Sequence, residues 1–152
     1  FVYLMLSRSG PVGVWGWLFT PKAIIVAQII IAFPLVAGFT MAAVMGVDPN
    51  LRRQLLALGA TNWQATIAIL SEARVGVVVS IIAGFGAIIS EVGAVILVGG
   101  NIEGKTRTLT TAIVLETGKG NFDLAIALGI ILLAISFLIN FAMIRLQGRG
   151  TV

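Results

Sequence analysis

The chain has no cysteine and no histidine. These absences exclude disulfides, thiolate chemistry and histidine metal ligands, and they remove the general base that hydrolytic enzymes most often use. Charged residues are scarce as well, at 11% of the chain, whereas a soluble domain carries about 25%. We therefore expect no soluble fold, no catalytic residue, no metal site and no cofactor.

Basic residues outnumber acidic residues by 10 to 6, a balance that could suggest nucleic acid as a partner. They are nevertheless scattered singly or in one pair, whereas nucleic-acid-binding proteins gather such residues into a patch or stripe. We interpret them as charges that flank membrane spans, and we expect no nucleic-acid partner.

Long uncharged stretches dominate the remaining sequence. They cover residues 23–47, residues 75–102 with the single interruption of Glu91, and residues 124–144. A helix needs about 20 predominantly apolar residues to cross a hydrocarbon core of roughly 30 Å, and each stretch is long enough. The sequence predicts an all-α fold, a polytopic transmembrane helix bundle that forms one domain over residues 1–152. Its full spans are expected at about 23–47, 75–99 and 124–145.

The first residues, 1–6, form a shorter apolar stretch that ends before Ser7. Six helical residues cover about 9 Å, so we expect the tail end of a span and a fragment truncated at its N-terminus. With this partial span counted, basic residues divide equally between the two sides of the membrane. Charge alone therefore does not set the orientation.

The connection over residues 48–73 is expected to contain two helices. Asp48 is a good N-cap, with Pro49 at the first helical position, and Gly59 suits a left-handed stop. Three apolar residues of this first helix fall on one face: Leu51, Leu55 and Leu58. Thr61 and Gln64 fit a capping box that starts the second helix. The connection is either an interfacial linker or a docking element for a cytoplasmic partner.

Small residues recur every fourth position in the third stretch, in two series: Gly76, Ser80 and Gly84, then Gly86, Ser90 and Ala94. Such spacing lets helix backbones approach closely in lipid, so we expect a packed central helix. Glu91 would share a face of it with Gly84, Ala87 and Ala94. The glutamate is either a protonated or hydrogen-bonded structural group or a member of a transport path.

Pro34 lies inside the uncharged stretch 23–47 and is expected to kink or locally unwind that helix.

Residues 99–106 satisfy the pattern of a phosphate-binding loop, in which two glycines are separated by four residues and followed by lysine and threonine. That loop needs a short strand before it and a parallel sheet around it. Because the preceding apolar run is far too long for a strand, we interpret the match as accidental and the glycines as part of a turn.

Several motifs resemble one family. GATNW at 59–63 is similar to the loop by which permeases of ATP-binding-cassette (ABC) importers bind their ATPases. ISEVGA at 89–94, GGNI at 99–102 and TRTLTTAI at 106–113 resemble the oxyanion branch of these permeases, and the continuation at 111–117 looks more like its tungstate members than its molybdate members. The docking loop departs from the family pattern, because three residues stand where the family usually has Glu-Ala-Ala: Arg53, Gln54 and Leu55.

The resemblance implies a permease that performs no chemistry and lies in the inner (plasma) membrane of a prokaryote. It implies a homodimer in the lipid bilayer, a separate cytoplasmic ABC ATPase and an extracytoplasmic oxyanion-binding protein. The ATPase-docking candidates are Leu51, Arg52, Arg53, Leu55, Leu58, Gly59, Ala60, Thr61 and Trp63. The candidates for the translocation path or gate are Glu91, Gly93, Asn101, Thr106, Arg107, Thr108 and Thr111.

A secondary transporter is the alternative hypothesis. In it Glu91 would be the coupling acid and Pro34 would mark a broken helix.

Overall fold

The computed structural model describes residues 2–7, 9–11 and 13–148, and these residues contain helices and no strand. A short 3-10 helix occupies Gly13–Trp15. The α-helices, in chain order, are α1 (Val2–Leu6), α2 (Pro21–Met45), α3 (Pro49–Ala57), α4 (Asn62–Glu72), α5 (Arg74–Ile89), α6 (Gly93–Gly99), α7 (Leu109–Gly118) and α8 (Phe122–Gly148). The all-α prediction is confirmed.

Two helices, α2 and α8, are long and apolar enough to cross a membrane. A third crossing is available if α4 and α5 form one bent span, because their axes differ by 66° at Ala73. The predicted spans 23–47 and 124–145 lie within about two residues of α2 and inside α8, respectively. For the predicted partial span 1–6, the structure has the short helix α1, while Phe1 lies outside the described residues.

Helices α2 and α5 pack side by side and run antiparallel. The Thr40 and Ser80 hydroxyl oxygens are 2.8 Å apart across this interface, and the Ser80 hydroxyl also donates to the Val77 carbonyl oxygen at 2.7 Å. Ser80 is completely buried. A hydroxyl pair of this kind joins the two helices where the surrounding lipid supplies no hydrophobic drive for association.

Glycines of α5 allow this close approach. A Cβ atom at Gly76 would overlap Ala43, and a Cβ atom at Gly84 would overlap a methyl group of Val36. The predicted packing of the first small-residue series is therefore confirmed. The second series is different, because a Cβ atom at Gly86 would meet open space and Ser90 is exposed.

The predicted span 75–99 is not one continuous helix. Helix α5 ends at Ile89 and α6 begins at Gly93. At the end of α5 the Ser90 hydroxyl lies 3.1 Å from the carbonyl oxygens of both Gly86 and Ala87. Side-chain hydroxyls that bond to carbonyl oxygens of the preceding turn replace backbone partners and help to end a helix.

Helix α2 continues through Pro34 without interruption, so the expected local unwinding is absent. A helix also forms in the connection between the predicted spans 75–99 and 124–145, where α7 packs against α8. At ten residues α7 is too short to cross a bilayer, which is why apolar length did not reveal it. Its start is marked by a capping threonine, Thr108.

Candidate functional site: the α3–α4 hairpin and the 89–111 region

The helix α3 begins and ends with local hydrogen bonds. The Asn50 N–H donates to Asp48 Oδ1 at 2.9 Å, as expected for an N-cap. At the other end Gly59 has φ +91°, and the N–H groups of Gly59 and Ala60 donate to the carbonyl oxygens of Leu56 and Leu55, each at 3.0 Å. These two bonds form a Schellman motif, so the predicted left-handed stop is confirmed.

The helix α4 begins immediately after this stop. The Gln64 N–H donates to Thr61 Oγ1 at 3.3 Å, and the Thr61 N–H donates to Gln64 Oε1 at 2.8 Å. The predicted capping box is confirmed. In addition, Arg52 Nη2 donates to Asn62 Oδ1 at 3.3 Å and ties α3 to the first turn of α4. We name residues 48–73 the docking hairpin.

The docking hairpin presents large apolar side chains to its surroundings. Leu58 is 84% exposed and Trp63 is 72% exposed, while Leu51 and Leu55 are half-buried. Leu58 is the C-cap of α3, and its N–H still donates to the Gln54 carbonyl oxygen at 3.0 Å. Exposed large apolar residues that are grouped on one element are typical of a surface that binds a partner.

The basic side chains Arg52 and Arg53 are exposed on the same helix. A groove of about 560 Å³ lies behind α3, and its lining includes Leu51, Gln54 and Glu72. The structure thus brings the docking candidates together on one hairpin.

Glu91 lies in the break between α5 and α6. Its Oε1 atom accepts a hydrogen bond from the Ala94 N–H at 2.8 Å, so the carboxylate satisfies a backbone donor at the start of α6. The expected helical face that joins Glu91 to Gly84, Ala87 and Ala94 is wrong, because the helix is interrupted there. Gly93, another path candidate, is exposed at the first position of α6.

The turn after α6 uses Thr106 as its central polar group. Thr106 is 2% exposed, and its Oγ1 atom donates to the Gly99 carbonyl oxygen at 2.6 Å and accepts from the Ile102 N–H at 2.9 Å. Gly100 has φ +73° and lies against the ring of Phe19. The turn follows a helix and its hydroxyl is engaged in the turn, so a phosphate-binding loop does not form here.

Two other candidates of this turn have incompletely satisfied polar atoms. Arg107 Nη1 pairs with Glu103 Oε2 at 3.2 Å. The Arg107 Nε atom and the Asn101 Oδ1 atom are both buried without a hydrogen-bond partner among the described residues. Because a buried unpaired polar atom is costly, these two side chains are available to bind water or a polar ligand.

Thr108 and Thr111 cap the start of α7. The Thr108 N–H donates to Thr111 Oγ1 at 2.9 Å, and the Thr111 N–H donates to Thr108 Oγ1 at 3.3 Å. Thr111 is completely buried, and its hydroxyl is engaged in the helix start. Thr108 also lines a cavity of about 190 Å³ whose other polar lining residues are Gln28 and Thr110. Neither Gln28 nor Thr110 was among the candidate site residues predicted from the sequence. The signal for Gln28 was its position as a polar residue within a long apolar stretch.

A polar cluster closes the hairpin between α7 and α8. Lys119 Nζ pairs with Glu116 Oε1 at 2.7 Å, and Asn121 Nδ2 donates to Glu116 Oε2 at 3.1 Å. The hydrogen bond from Lys119 is the main cause that holds the pKa of Glu116 below its ordinary value, and the bond from Asn121 adds to it. This cluster is exposed and stabilises the turn.

The chain is similar to curated permease proteins along nearly its whole length. It is 44% identical to the probable anion ABC transporter permease protein of Haloferax volcanii, over 97% of this chain and 66% of that relative. It is 42% identical to the tungstate uptake system permease protein TupB of Peptoclostridium acidaminophilum, over 96% of this chain and 64% of that relative. The molybdenum transport system permease protein ModB of Escherichia coli K12 is 31% identical, over 88% of this chain and 67% of that relative.

No family model and no solved structure matches the chain. The chain spans somewhat less than two thirds of the length of the first two relatives. Since the similarity covers both the docking hairpin and the 89–111 region, it includes all the candidate site residues. The chain belongs to the family of permease subunits of ABC anion transporters, which are multi-pass proteins of the prokaryotic inner (plasma) membrane.

Proposed function

We propose that this chain forms the translocation path of an ATP-driven importer of tungstate or a related tetrahedral oxyanion. In this proposal two copies of the permease form a homodimer, an extracytoplasmic binding protein delivers the anion, and a separate cytoplasmic ATPase hydrolyses ATP. The permease itself performs no chemistry.

The match to a tungstate uptake permease carries the proposal. Identity to that relative is 42%, against 31% for the Escherichia coli molybdenum permease. The greater identity favours tungstate over molybdate as the anion. In this proposal the docking hairpin lies on the cytoplasmic side, an orientation that the distribution of basic residues leaves open.

Docking of the ATPase would use the outer surface of the hairpin. The side chains of Leu58 and Trp63 offer apolar contact area, and Arg52 and Arg53 offer positive charge at the rim. Leu51 lines the groove behind α3 and Leu55 is half-buried. Gly59, Ala60 and Thr61 form the corner described above.

Transmission of the ATPase movement would follow the chain from the hairpin. Arg52 links α3 to α4, α4 continues into α5 through the bend at Ala73, and α5 packs on α2 through Ser80. A displacement of the hairpin by the ATPase would therefore shift α5 relative to α2. This kind of packed, rigid connection supports switching between outward and inward access.

Within the path, Asn101, Arg107 and Thr108 supply amide, guanidinium and hydroxyl groups suited to an oxyanion. Glu91 would repel the anion, so it serves as a gate or as the structural cap of α6. Gly93, which has no side chain, leaves room beside the break between α5 and α6. Thr106 and Thr111 hold the turns on which these groups stand.

A secondary transporter that uses Glu91 as its coupling acid is the second candidate function. One observation favours it, because the helix break lies beside Glu91 and broken helices carry ion sites in such transporters. Pro34 does not contribute such a break.

The Gly59→Val variant tests the proposed coupling. A β-branched residue at φ +91° is strained by about 1–2 kcal/mol, and the corner between α3 and α4 would shift. In the full-length permease we expect membrane insertion and dimer formation to persist. Copurification of the ATPase should weaken and ATP-driven tungstate uptake should be lost.

Gly120→Val is the matched control. Gly120 also has positive φ and open space around it, but it lies in the turn between α7 and α8. This variant should keep ATPase binding and uptake. Normal copurification and uptake for Gly59→Val would show that the docking hairpin is only a connector, and they would contradict the proposed coupling.

A further inference from the structure

Gln28 is a polar residue in the N-terminal half of α2, which is the half away from the docking hairpin. Its chain neighbours are apolar, Ala27 and Ile29. The amide of Gln28 has no hydrogen-bond partner among the residues that the structure describes, and its side chain is half-buried rather than exposed. An amide at membrane depth is costly unless it faces a partner, water or a polar ligand.

The cavity beside Gln28 is formed by four helices. Its wall combines the amide with Ile88 and Ile89 at the end of α5, Thr108 and Thr110 at the start of α7, and two residues of α8. Its volume of about 190 Å³ is several times the share of one water molecule in the liquid, about 30 Å³. A bare tetrahedral oxyanion, with four oxygen atoms around one central atom, therefore fits the space.

The polar groups of this cavity are hydrogen-bond donors without charge. The Thr108 and Thr110 hydroxyl oxygens are 2.9 Å apart, so one hydroxyl hydrogen bridges the pair. When Thr108 is the donor, the hydroxyl hydrogen of Thr110 remains available. The lining contains no Lys, Arg, Asp or Glu. Neutral donors bind an anion weakly enough for it to leave, which conduction requires.

We propose that Gln28 contacts the transported oxyanion in this cavity and donates its amide N–H to an anion oxygen, with the Thr110 hydroxyl as a second donor. This inference rests on the proposed function and adds a specific contact site to it. The site lies next to the break between α5 and α6, so movement of α5 against α2 changes the width of the cavity and can release the anion.

The test uses the full-length permease with its ATPase and binding protein in proteoliposomes, and tungstate as the probe. Gln28→Glu places a negative charge in the cavity and should lower tungstate uptake by about tenfold or more through like-charge repulsion. Gln28→Met keeps the size but removes the donors, and it should lower uptake severalfold. In both variants the ATPase should still copurify, and the loaded binding protein should still stimulate ATP hydrolysis.

Asn140→Leu is the matched control, because Asn140 is also an amide in a membrane helix. Asn140 does not line the cavity beside Gln28, and its Nδ2 atom donates to the Ser136 carbonyl oxygen of its own helix at 2.8 Å. Uptake by this variant should remain within about twofold of the wild type, since exposed or self-satisfied positions contribute little.

The outcomes separate the two proposals. If the wild-type assembly takes up no tungstate or molybdate, the proposed function fails. If the wild type transports tungstate and Gln28→Glu transports it equally well, the proposed function stands and the Gln28 contact is wrong. Loss of the permease dimer or of ATPase copurification in Gln28→Glu, with normal uptake by Gln28→Met, would make Gln28 a structural residue and would also overturn the inference.

Discussion

Helix α2 and its antiparallel neighbour α5–α6 differ in where they are interrupted. Helix α2 contains Pro34 and is nevertheless continuous from Pro21 to Met45. The neighbour has no proline between Arg74 and Gly99, but it breaks after Ile89. The proline leaves α2 intact, while a mainly apolar segment without proline is divided at Ser90 and Glu91.

Satisfaction of backbone groups explains this difference. Pro34 removes one N–H donor, and it is exposed on α2, where its ring does not disturb the contact with α5. At the break, by contrast, Ser90 bonds to carbonyl oxygens of α5 and Glu91 bonds to the Ala94 N–H of α6. These side chains satisfy several backbone groups that the interrupted helix leaves without partners. The break is therefore tolerated within a membrane.

The largest expected effect concerns the contact that keeps α2 and α5 aligned. Gly84→Ala adds a methyl group that overlaps Val36, a side chain with a stiff χ1 angle. We expect the free energy of unfolding of the full-length protein to fall by about 1–3 kcal/mol, measured by thermal unfolding in detergent.

Gly86→Ala is the internal comparison for this prediction. It lies two residues further along α5 and faces open space, so this variant should be neutral or slightly more stable, because alanine favours helix. Equal destabilisation by both variants would show that Gly84 does not control the approach of α2.

A smaller effect is expected at the break. Glu91→Leu leaves the Ala94 N–H without its acceptor and should cost about 1–2 kcal/mol, the usual value of a lost helix cap. Glu91→Gln keeps an oxygen acceptor and should retain both stability and substantial uptake. Unfolding and uptake would be measured in the same preparations.

The glutamine variant also separates the two candidate functions. A Glu91→Gln protein that folds with normal stability but transports nothing would indicate proton coupling, and it would favour the secondary transporter. Retained ATP-driven uptake would support the importer with Glu91 as a cap or gate.

The smallest effect is expected at Pro34. Pro34→Ala restores an N–H donor within a helix that is already continuous, so stability should rise by less than ~1 kcal/mol and uptake should persist. Unfolding in detergent and uptake in proteoliposomes provide the measurement. A large loss of transport without loss of stability would show that the proline has a role in movement, and the contrast between α2 and α5–α6 would need revision.

Local signals in the sequence predicted much of the molecule. The long apolar stretches predicted α2 and α8, the caps at Asp48 and Thr61 predicted the starts of α3 and α4, and the position of Gly59 predicted the end of α3. Each signal acts within about four residues of the chain, through helix period, cap or positive φ. The docking candidates therefore lie together on one hairpin because neighbouring residues suffice to build it.

The path region was less predictable. Glu91 was assigned to a continuous helix, α7 was assigned to a connection, and Thr106 was considered for anion contact although it is engaged in the turn. The cavity beside Gln28 was not found, because its walls come from helices far apart in sequence. No pattern of fixed spacing encodes such a meeting of side chains.

The sequence by itself determined that this chain is helical and apolar enough for a membrane, since hydrophobic length and helix caps are local properties. Only the tertiary structure decided which small residues pack, where the central segment breaks and which polar groups share a cavity. The physical reason is that packing and burial depend on what lies opposite each residue. Gly84 and Gly86 are the same residue two positions apart, yet one touches α2 and the other faces open space.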